Sequence, residues 1–560
     1  MNFAMSKISL AVILILFTFI QLPKIGLTPA RENVFERQSQ TAGMVRLYCL
    51  DGSRHPLASP QLPWGTGAFN MELSIFEWAQ GAVSRLVDGG SCQSVELVTQ
   101  ITALIAAVVT LVLAFLLGNA LFGPFAAVLC AGALAFDSAW LKFSTYMLMD
   151  IRSVAFAFLG GYLCLKRRWT WATLAWFVSA SHRPQAFTAT GTFFIILLGI
   201  VLWMRERRFS LKSTLAAAVP VVLGGALGLC YHVYAAVFNR SHDLPWFTWA
   251  GPRIFNTYFG NWHERWEAAY WKGLFFDGLH KTALNLALAS IFSIGLLLFL
   301  GARKDASRAQ HVRFIQNLLK KVLILTLPYI VGRFIYTFLF LTVFKWHDYY
   351  AVPLNGLGAL TKGLILGFIL KQTAEYLRGS RTRLRALSIA TAVTVVPLLV
   401  WGASNAVRDA RFTAERRDPT SSLYYHDWGQ TIFPATDTRS LVVVVHPRAA
   451  RDMGYLYISK HPGFTWCNHS PENAPRAFWQ QQGVKYVAWP EDGAPGQPLR
   501  WKVRTMAEEL AHARAQGWSS EVKDYWAGRT MAEWAKIASR HDLNPCQGDI
   551  HQRDPRLWKD

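Results

Sequence analysis

Long apolar runs separated by short polar breaks fill most of this chain, and then the pattern stops. Eleven such runs lie near 8–27, 99–117, 119–137, 151–165, 169–181, 186–204, 213–237, 282–301, 322–344, 351–370 and 387–403. A helix that crosses a bilayer needs about 20 mostly apolar residues. The pattern therefore predicts an all-α polytopic membrane domain over residues 1–403, with about 11 transmembrane helices. Beyond residue 403 the long runs end, and Pro, Gly and charged residues increase. There 441–445 and 484–488 are β-branched runs of strand type, and 503–516 is a polar, Ala-rich helical pattern. Residues 404–560 are predicted to form a small soluble α/β domain.

The breaks alternate in charge. Basic clusters occupy 166–168, 205–212, 303–321 and 371–385, each after an even-numbered run. The positive-inside rule places all four in the cytoplasm. The opposite face then receives 28–98, 138–150, 182–185, 238–281, 345–350 and the domain 404–560. The first run reads as a retained helix or as a cleaved signal peptide, and both leave residue 28 outside. A retained helix is favoured, because no small-residue cleavage site with good flanks follows it. Among 560 residues only 16% are charged, yet the net charge is +22. Much of that charge lies in short loops beside apolar runs, where it orients the chain, which argues against a nucleic-acid partner. Of seven cysteines, Cys130, Cys164 and Cys230 lie in spans. Cys49 with Cys92, and Cys467 with Cys546, fall in outer segments and suggest two disulfides.

The chemistry-bearing motifs all fall on that outer face. Around Glu32, Glu36, Arg31 and Arg37 the first loop is either a set of solvated ion pairs or part of a site. Leu73, Phe76, Val83 and Leu86 follow at helical spacing, which predicts an amphipathic helix lying at the interface. Asp150 opens an apolar run. It is either a helix-end charge favoured by the macrodipole, with Arg152 as partner, or a functional carboxylate. Arg183 stands in the break 181–185, as a phosphate clamp or a snorkelling turn residue. Lys345, Trp346, His347, Asp348, Tyr349 and Tyr350 form another cluster. The loop 238–281 holds Trp246, Trp249, Trp262, Trp266 and Trp271 with Arg253, His263, Glu264 and Arg265. Its indoles suit sugar stacking and interfacial anchoring equally.

The order of these pieces resembles the GT-C superfamily of polyprenyl-phosphate-sugar glycosyltransferases. The branch it is most similar to holds the protein O-mannosyltransferases and the lipid A aminoarabinose transferases. Arg37-Gln38-Ser39-Gln40-Thr41-Ala42 resembles that branch's Arg-Gln-x-x-Thr-Ala pattern, and Glu72 to Trp78 its next segment, with Ser74 where Pro is usual. Phe143-Ser144 to Met149-Asp150 is similar to its second acidic motif. His182-Arg183-Pro184 is similar to a Thr-Lys motif, with Arg for Lys. His347-Asp348-Tyr349-Tyr350 with Pro353-Leu354 resembles a late His-x-Tyr-Tyr-x-x-Pro-Leu. In the tail domain, Tyr455-Leu456-Tyr457 and the stretch 483–487 look like strands of that branch's soluble domain.

The resemblance implies a GT-C membrane domain with an extracytoplasmic α/β domain, in the inner (plasma) membrane. It implies inverting transfer of a hexosyl or pentosyl group from a polyprenyl-phosphate sugar to a glycan, lipid or protein acceptor on the outer face. The implied partners are that donor, the acceptor and membrane lipids. Asp150 and Glu36 are then the catalytic carboxylates. Arg37, Gln38, Glu72, Arg183, Lys345, His347, Tyr349 and Tyr350 bind substrate. Many relatives have Asp-Glu where this chain has Arg37-Gln38, so Glu32 and Glu72 stand beside Glu36 as candidates for the first-loop acid. No metal-ligating set is assigned, no cofactor is called for, and a divalent-metal requirement is left undefined. Two other functions fit the same composition: a transporter or flippase of a lipid-linked sugar, and a non-catalytic subunit of envelope polysaccharide assembly. Transporters often carry inverted repeats, and this sequence shows none.

Overall fold

The structure, a computed structural model, describes residues 3–26, 35–50, 52, 72–206, 211–241, 263–266, 271, 308–340, 348–376, 440, 442–445, 463–466, 474, 476–481, 483–491 and 500–518. The runs predicted at 282–301 and 387–403, the pair Cys467 and Cys546, Glu32, the segment 455–457, Trp246, Trp249 and Trp262 lie outside the described residues. The chain divides into two compact units, Met1–Ile25 with Ile101–Cys230 and Tyr258–Ala414, and Gly26–Gln100 with Tyr231–Thr257 and Glu415–Asp560.

The first unit is a helical bundle. Its helices are α1 (Phe3–Gln21), most of α4 (Val95–Phe122), α5 (Pro124–Ala135), α6 (Ser138–Phe143), α7 (Asp150–Leu165), α8 (Trp169–His182), α9 (Pro184–Glu206) and most of α10 (Leu211–Ser241). Next come α11 (Arg308–Leu339) and α12 (Val352–Tyr376). Six described helices are long and apolar enough to cross a membrane: α1, α4, α9, α10, α11 and α12. The protein is thus a membrane protein.

α12 is the buried axis of this bundle, and its glycines explain why. A Cβ at Gly363 would stand 2.4 Å from the Cα of Cys130, and one at Gly367 would stand 2.2 Å from the Cβ of Ala126. Two glycines four residues apart let α12 lie directly on the α5 backbone, the close approach that small residues permit between membrane helices. α7 and α8 are shorter than a bilayer is thick, but α7 is buried along most of its length. A helix surrounded by protein need not match the lipid. Ser153 and Ser179 lock the pair, each hydroxyl donating to the other's carbonyl at 3.0 Å.

Several boundaries differ from expectation. α11 starts at Arg308, not near 322, because His311, Arg313, Lys320 and Lys321 sit on helical turns that an apolar-run criterion rejects. α12 likewise carries on past 370 through Lys371 to Tyr376.

In the second unit, α2 (Phe35–Leu50) and α3 (Ile75–Val87) pack closely. A Cβ at Gly81 would stand 2.8 Å from the Val45 carbonyl oxygen. The Cys49–Cys92 disulfide and the 2.9 Å Tyr48–Ser74 hydroxyl pair hold the same region together. α3 is amphipathic as predicted, but its outward stripe differs. Leu73 is buried, while Ile75, Val83, Leu86 and Val87 are exposed. The packed side carries Glu77, Gln80, Gly81 and Ser84. A helix with its apolar side outward suits a lipid interface.

The tail sheet has strand order β2-β1-β3-β4, from β1 (Val442–Val445), β2 (Gly463–Trp466), β3 (Tyr486–Glu491) and β4 (Arg500–Thr505). β1 pairs in parallel with β2 and β3, and β4 runs antiparallel to β3. All four β1 valines are buried, as in a strand covered on both faces. α13 (Arg476–Gln481) and α14 (Met506–Ala515) are the described helices of this part. α14 begins at 506, not 503, because residues to Thr505 extend β4. Thr505 and Glu508 then form a reciprocal capping box. Those hydrogen bonds hold the exposed Glu508 carboxyl below its ordinary range. Buried Glu509 bridges Arg476 and Arg504, at 2.8 Å each.

Candidate functional site

Three polar breaks far apart in sequence meet in the first unit. Asp150 is the first residue of α7, and the Met149 carbonyl accepts the Ser153 N–H at 3.0 Å. Arg183 closes α8 and caps α9, its carbonyl accepting the Phe187 N–H at 3.0 Å. Pro184 supplies the preset backbone of a first helical residue. Tyr349 and Tyr350 lie in a 3-10 turn, Asp348–Ala351, that runs into α12.

The Arg183 Nε donates to Asp150 Oδ1 at 3.0 Å, and both side chains are buried. The guanidinium lies 4.9 Å from the Tyr350 ring centroid and 5.9 Å from that of Tyr349. The two tyrosine rings stack at 4.6 Å. Tyr336 of α11 fixes this corner by donating its hydroxyl hydrogen to the Tyr350 carbonyl at 3.0 Å. The start of α7, the α8–α9 junction, α11 and the turn that leads into α12 thus meet in one cluster.

Asp150 does not rely on Arg152 as its partner. Residues two apart on a helix do not face each other, and Arg183, 33 residues away in sequence, takes that place. The electrostatics follow from the elements. The amino ends of α7 and α9 each carry about half a positive charge. The carboxyl end of α8, which Arg183 closes, carries about half a negative charge, so among the described residues the helix ends leave a small positive excess beside the Asp150–Arg183 pair, which suits an anionic group.

The segment that leads to Asp150 is tied to the end of α1 and the turn after it. Gln21 Nε2 and Lys24 Nζ both donate to the Leu141 carbonyl, at 3.1 and 2.7 Å. Lys24 is buried although it carries an ammonium. This clasp holds α6, which leads to Asp150. Lys24 was not singled out in the sequence, where it reads as one charge at the end of a span.

Of the other expected site residues, Lys345 and His347 lie outside the described residues. Glu36, Arg37 and Gln38 belong to the first turn of α2 in the second unit. Gln38 is buried, and the side chains of Glu36 and Arg37 lie outside the described residues. Glu72 is buried in the same unit. Glu77, which the sequence reading passed over, is also buried there, and both carboxyl groups act electrostatically on Tyr231. An acid on the small-residue side of an otherwise apolar helix was the signal for Glu77. In the tryptophan-rich loop, Trp271 stacks on Phe334 at 5.4 Å and donates Nε1–H to the Arg265 carbonyl. Arg265 donates to the Phe338 carbonyl at 3.0 Å. Trp271 and Arg265 therefore pack against α11, and that indole face is occupied by protein.

No family model matches the chain, and no curated protein is similar to it in sequence. Solved structures do match. ArnT from Cupriavidus metallidurans, bound to undecaprenyl phosphate, is 12% identical with a TM-score of 0.50, over 90% of this chain and 98% of that one. The archaeal oligosaccharyltransferase AglB from Archaeoglobus fulgidus, in complex with an inhibitory peptide and a dolichol-phosphate, is 10% identical. Its TM-score is 0.49, over 86% of this chain and 69% of that one. The arabinofuranosyltransferase AftD from Mycobacteria is 14% identical with a TM-score of 0.44, over 92% and 37%. The likeness to ArnT over nearly the full length of both chains shows a shared fold, which in this chain comprises membrane-length helices and a small four-stranded sheet.

Proposed function

We propose that the protein is a membrane glycosyltransferase that moves a sugar from a polyprenyl-phosphate donor to an acceptor on the extracytoplasmic face. The observation that carries this reading is the buried Asp150–Arg183 pair on the Tyr350 ring, in a fold similar to that of a protein that binds undecaprenyl phosphate. Residues 1–403 form the membrane domain and 404–560 the outer domain in this proposal. The sugar is a hexosyl or pentosyl group, and the acceptor a glycan, lipid or protein.

The chemistry is a single inverting displacement. The acceptor oxygen attacks the anomeric carbon, and the bond from that carbon to the phosphate oxygen breaks, its electron pair leaving with polyprenyl phosphate. The acceptor proton passes to a carboxylate. Asp150 presents Oδ1 to Arg183, while Oδ2 has no hydrogen-bond partner among the described residues. Oδ2 takes the proton or faces the positive charge that develops on the sugar. Glu36 is the second carboxylate, with Glu32, Glu72 and now Glu77 as alternatives. Arg183, helped by Lys345, His347 and the amino end of α9, offsets charge on the departing phosphate. Arg37, Gln38, Tyr349 and Tyr350 complete the substrate contacts. Mass spectrometry of envelope glycans with and without the gene tests this. A missing sugar substituent, with its polyprenyl-phosphate donor accumulating, supports transfer. An unchanged glycan profile, with sugar-lipid translocation into vesicles by the purified protein, overturns it in favour of a flippase.

A further inference from the structure

We infer that Tyr336 is a positioning residue for Arg183, one that sets how the guanidinium meets the donor phosphate, and this rests on the glycosyl-transfer reading above. Tyr336 lies in the last turn of α11 and is fully buried. Its place follows from Gly332, one turn earlier on the same helix face. A Cβ at Gly332 would stand 3.2 Å from the Ala189 carbonyl oxygen, so α11 runs close against α9, the helix that Arg183 caps. The Tyr336 hydroxyl donates to the Tyr350 carbonyl at 3.0 Å. That carbonyl belongs to the 3-10 turn Asp348–Ala351. Such a turn is closed by the N–H three residues on, and for Tyr350 that residue is Pro353, which has none. Tyr336 offers a donor from another helix in place of the missing N–H.

The Tyr350 ring connects this contact to the charge pair. Its centroid is 4.9 Å from the Arg183 guanidinium carbon, and the Tyr349 ring stacks on it at 4.6 Å. A guanidinium beside a buried ring is attracted to the ring's face, more strongly out of water. Arg183 already donates from Nε to Asp150 Oδ1 at 3.0 Å. A phosphate is gripped best when the remaining N–H groups are presented as a fork in a fixed plane. A planar group pinned through Nε can still tilt about that hydrogen bond, and the Tyr350 ring limits the tilt. The ring is only as fixed as its backbone. By holding the Tyr350 carbonyl, Tyr336 holds the ring, and through the ring the plane of Arg183. Tyr336, Tyr350, Arg183 and Asp150 thus form one continuous series of contacts. Within the apolar run 322–344 a tyrosine reads as interior packing, so nothing in the sequence distinguishes Tyr336.

The test uses the full chain in lipid nanodiscs, with bare undecaprenyl phosphate as the probe. Tyr336→Phe keeps the ring and removes the hydroxyl. Tyr350→Leu removes the ring beside Arg183 and keeps the carbonyl. Affinity is measured for wild type, both single variants and the double variant, well below each thermal midpoint. We expect Tyr336→Phe to weaken binding about fivefold to tenfold, the scale of one net hydrogen bond, and Tyr350→Leu to weaken it at least as much. In the Tyr350→Leu background, adding Tyr336→Phe should change affinity by less than about twofold, because the ring through which it acts is gone. A purely structural role would not produce that coupling, since the hydrogen bond to the backbone carbonyl is present in both backgrounds. Unchanged affinity in Tyr336→Phe, or an equal loss in both backgrounds, overturns the inference. So does a Tyr336→Phe chain that does not fold, which would make the hydroxyl a requirement of the fold. Each of these leaves the transfer reading standing. Wild-type protein that binds no undecaprenyl phosphate would overturn the transfer reading itself.

Discussion

Asp150 and Arg183 are each other's counter-charge as well as candidates for chemistry, so substitutions there act on stability and activity together. Removing one member of a buried pair typically costs about 3–5 kcal/mol, because the other charge is left uncompensated. Asn at position 150 keeps an acceptor for the Arg183 Nε, so Asp150→Asn should fall at or below the low end of that range. The double variant Asp150→Asn with Arg183→Gln removes both charges. It should regain thermal stability relative to either single variant while remaining inactive. Thermal unfolding in detergent compares them, and a double variant less stable than both singles would show that the pair is not the source of the cost. Arg183→Lys keeps the charge but loses the planar group that lies over Tyr350. Arg183→Ala should raise the half-saturation concentration for a lipid-phosphate donor further than Arg183→Lys does, and identical saturation curves for Ala and wild type would remove Arg183 from the phosphate site. Both residues were legible in sequence as isolated charges at span edges. Their pairing was not, because it joins the start of α7 to the start of α9, and contacts between helices leave no local periodicity.

At the scale of elements, most helices could be read from the spacing of apolar residues, but their closeness could not. The Gly363 and Gly367 pair decides how near α12 comes to α5, and the reading of apolar runs passes over glycine. Gly363→Val would drive side-chain atoms into the Cys130 backbone, which cannot move aside as a side chain can. Overpacking of this kind costs about 1–3 kcal/mol or more. The expected result is a lowered thermal midpoint and poor yield of inserted protein, whereas a midpoint equal to wild type would mean that the two helices are not in contact. Charge hid the first turns of α11 and the last turn of α12. In α3 the sequence showed amphipathicity correctly but not the side that packs, since a protein neighbour here takes Glu77, Gln80 and Ser84 and leaves Leu86 outward.

For the whole molecule, the loop charges carry the orientation. Residues 166–168 lie at the end of the α7–α8 hairpin opposite Asp150 and Arg183. Helices of 16 and 14 residues separate them by about 21–24 Å. That puts the basic turn and the charge pair at opposite ends of the hairpin, as the proposed topology requires. Single cysteines placed at 305, 264 and 480 should label from the cytoplasmic side for 305 and from the outside for 264 and 480. Labelling of 480 only after permeabilisation would reverse the topology and with it the placement of the site. The proposed activity is lipid-dependent sugar transfer through Asp150. Its most direct measurement is release of undecaprenyl phosphate from undecaprenyl-phosphate-linked sugars by purified protein, with an envelope extract as acceptor, for wild type and Asp150→Asn. Release coupled to sugar appearing on the acceptor, lowered about a hundred- to ten-thousand-fold in the folded variant, is the predicted result. Equal rates in the two proteins, or no coupled release by wild type from any sugar-bearing lipid, would contradict it.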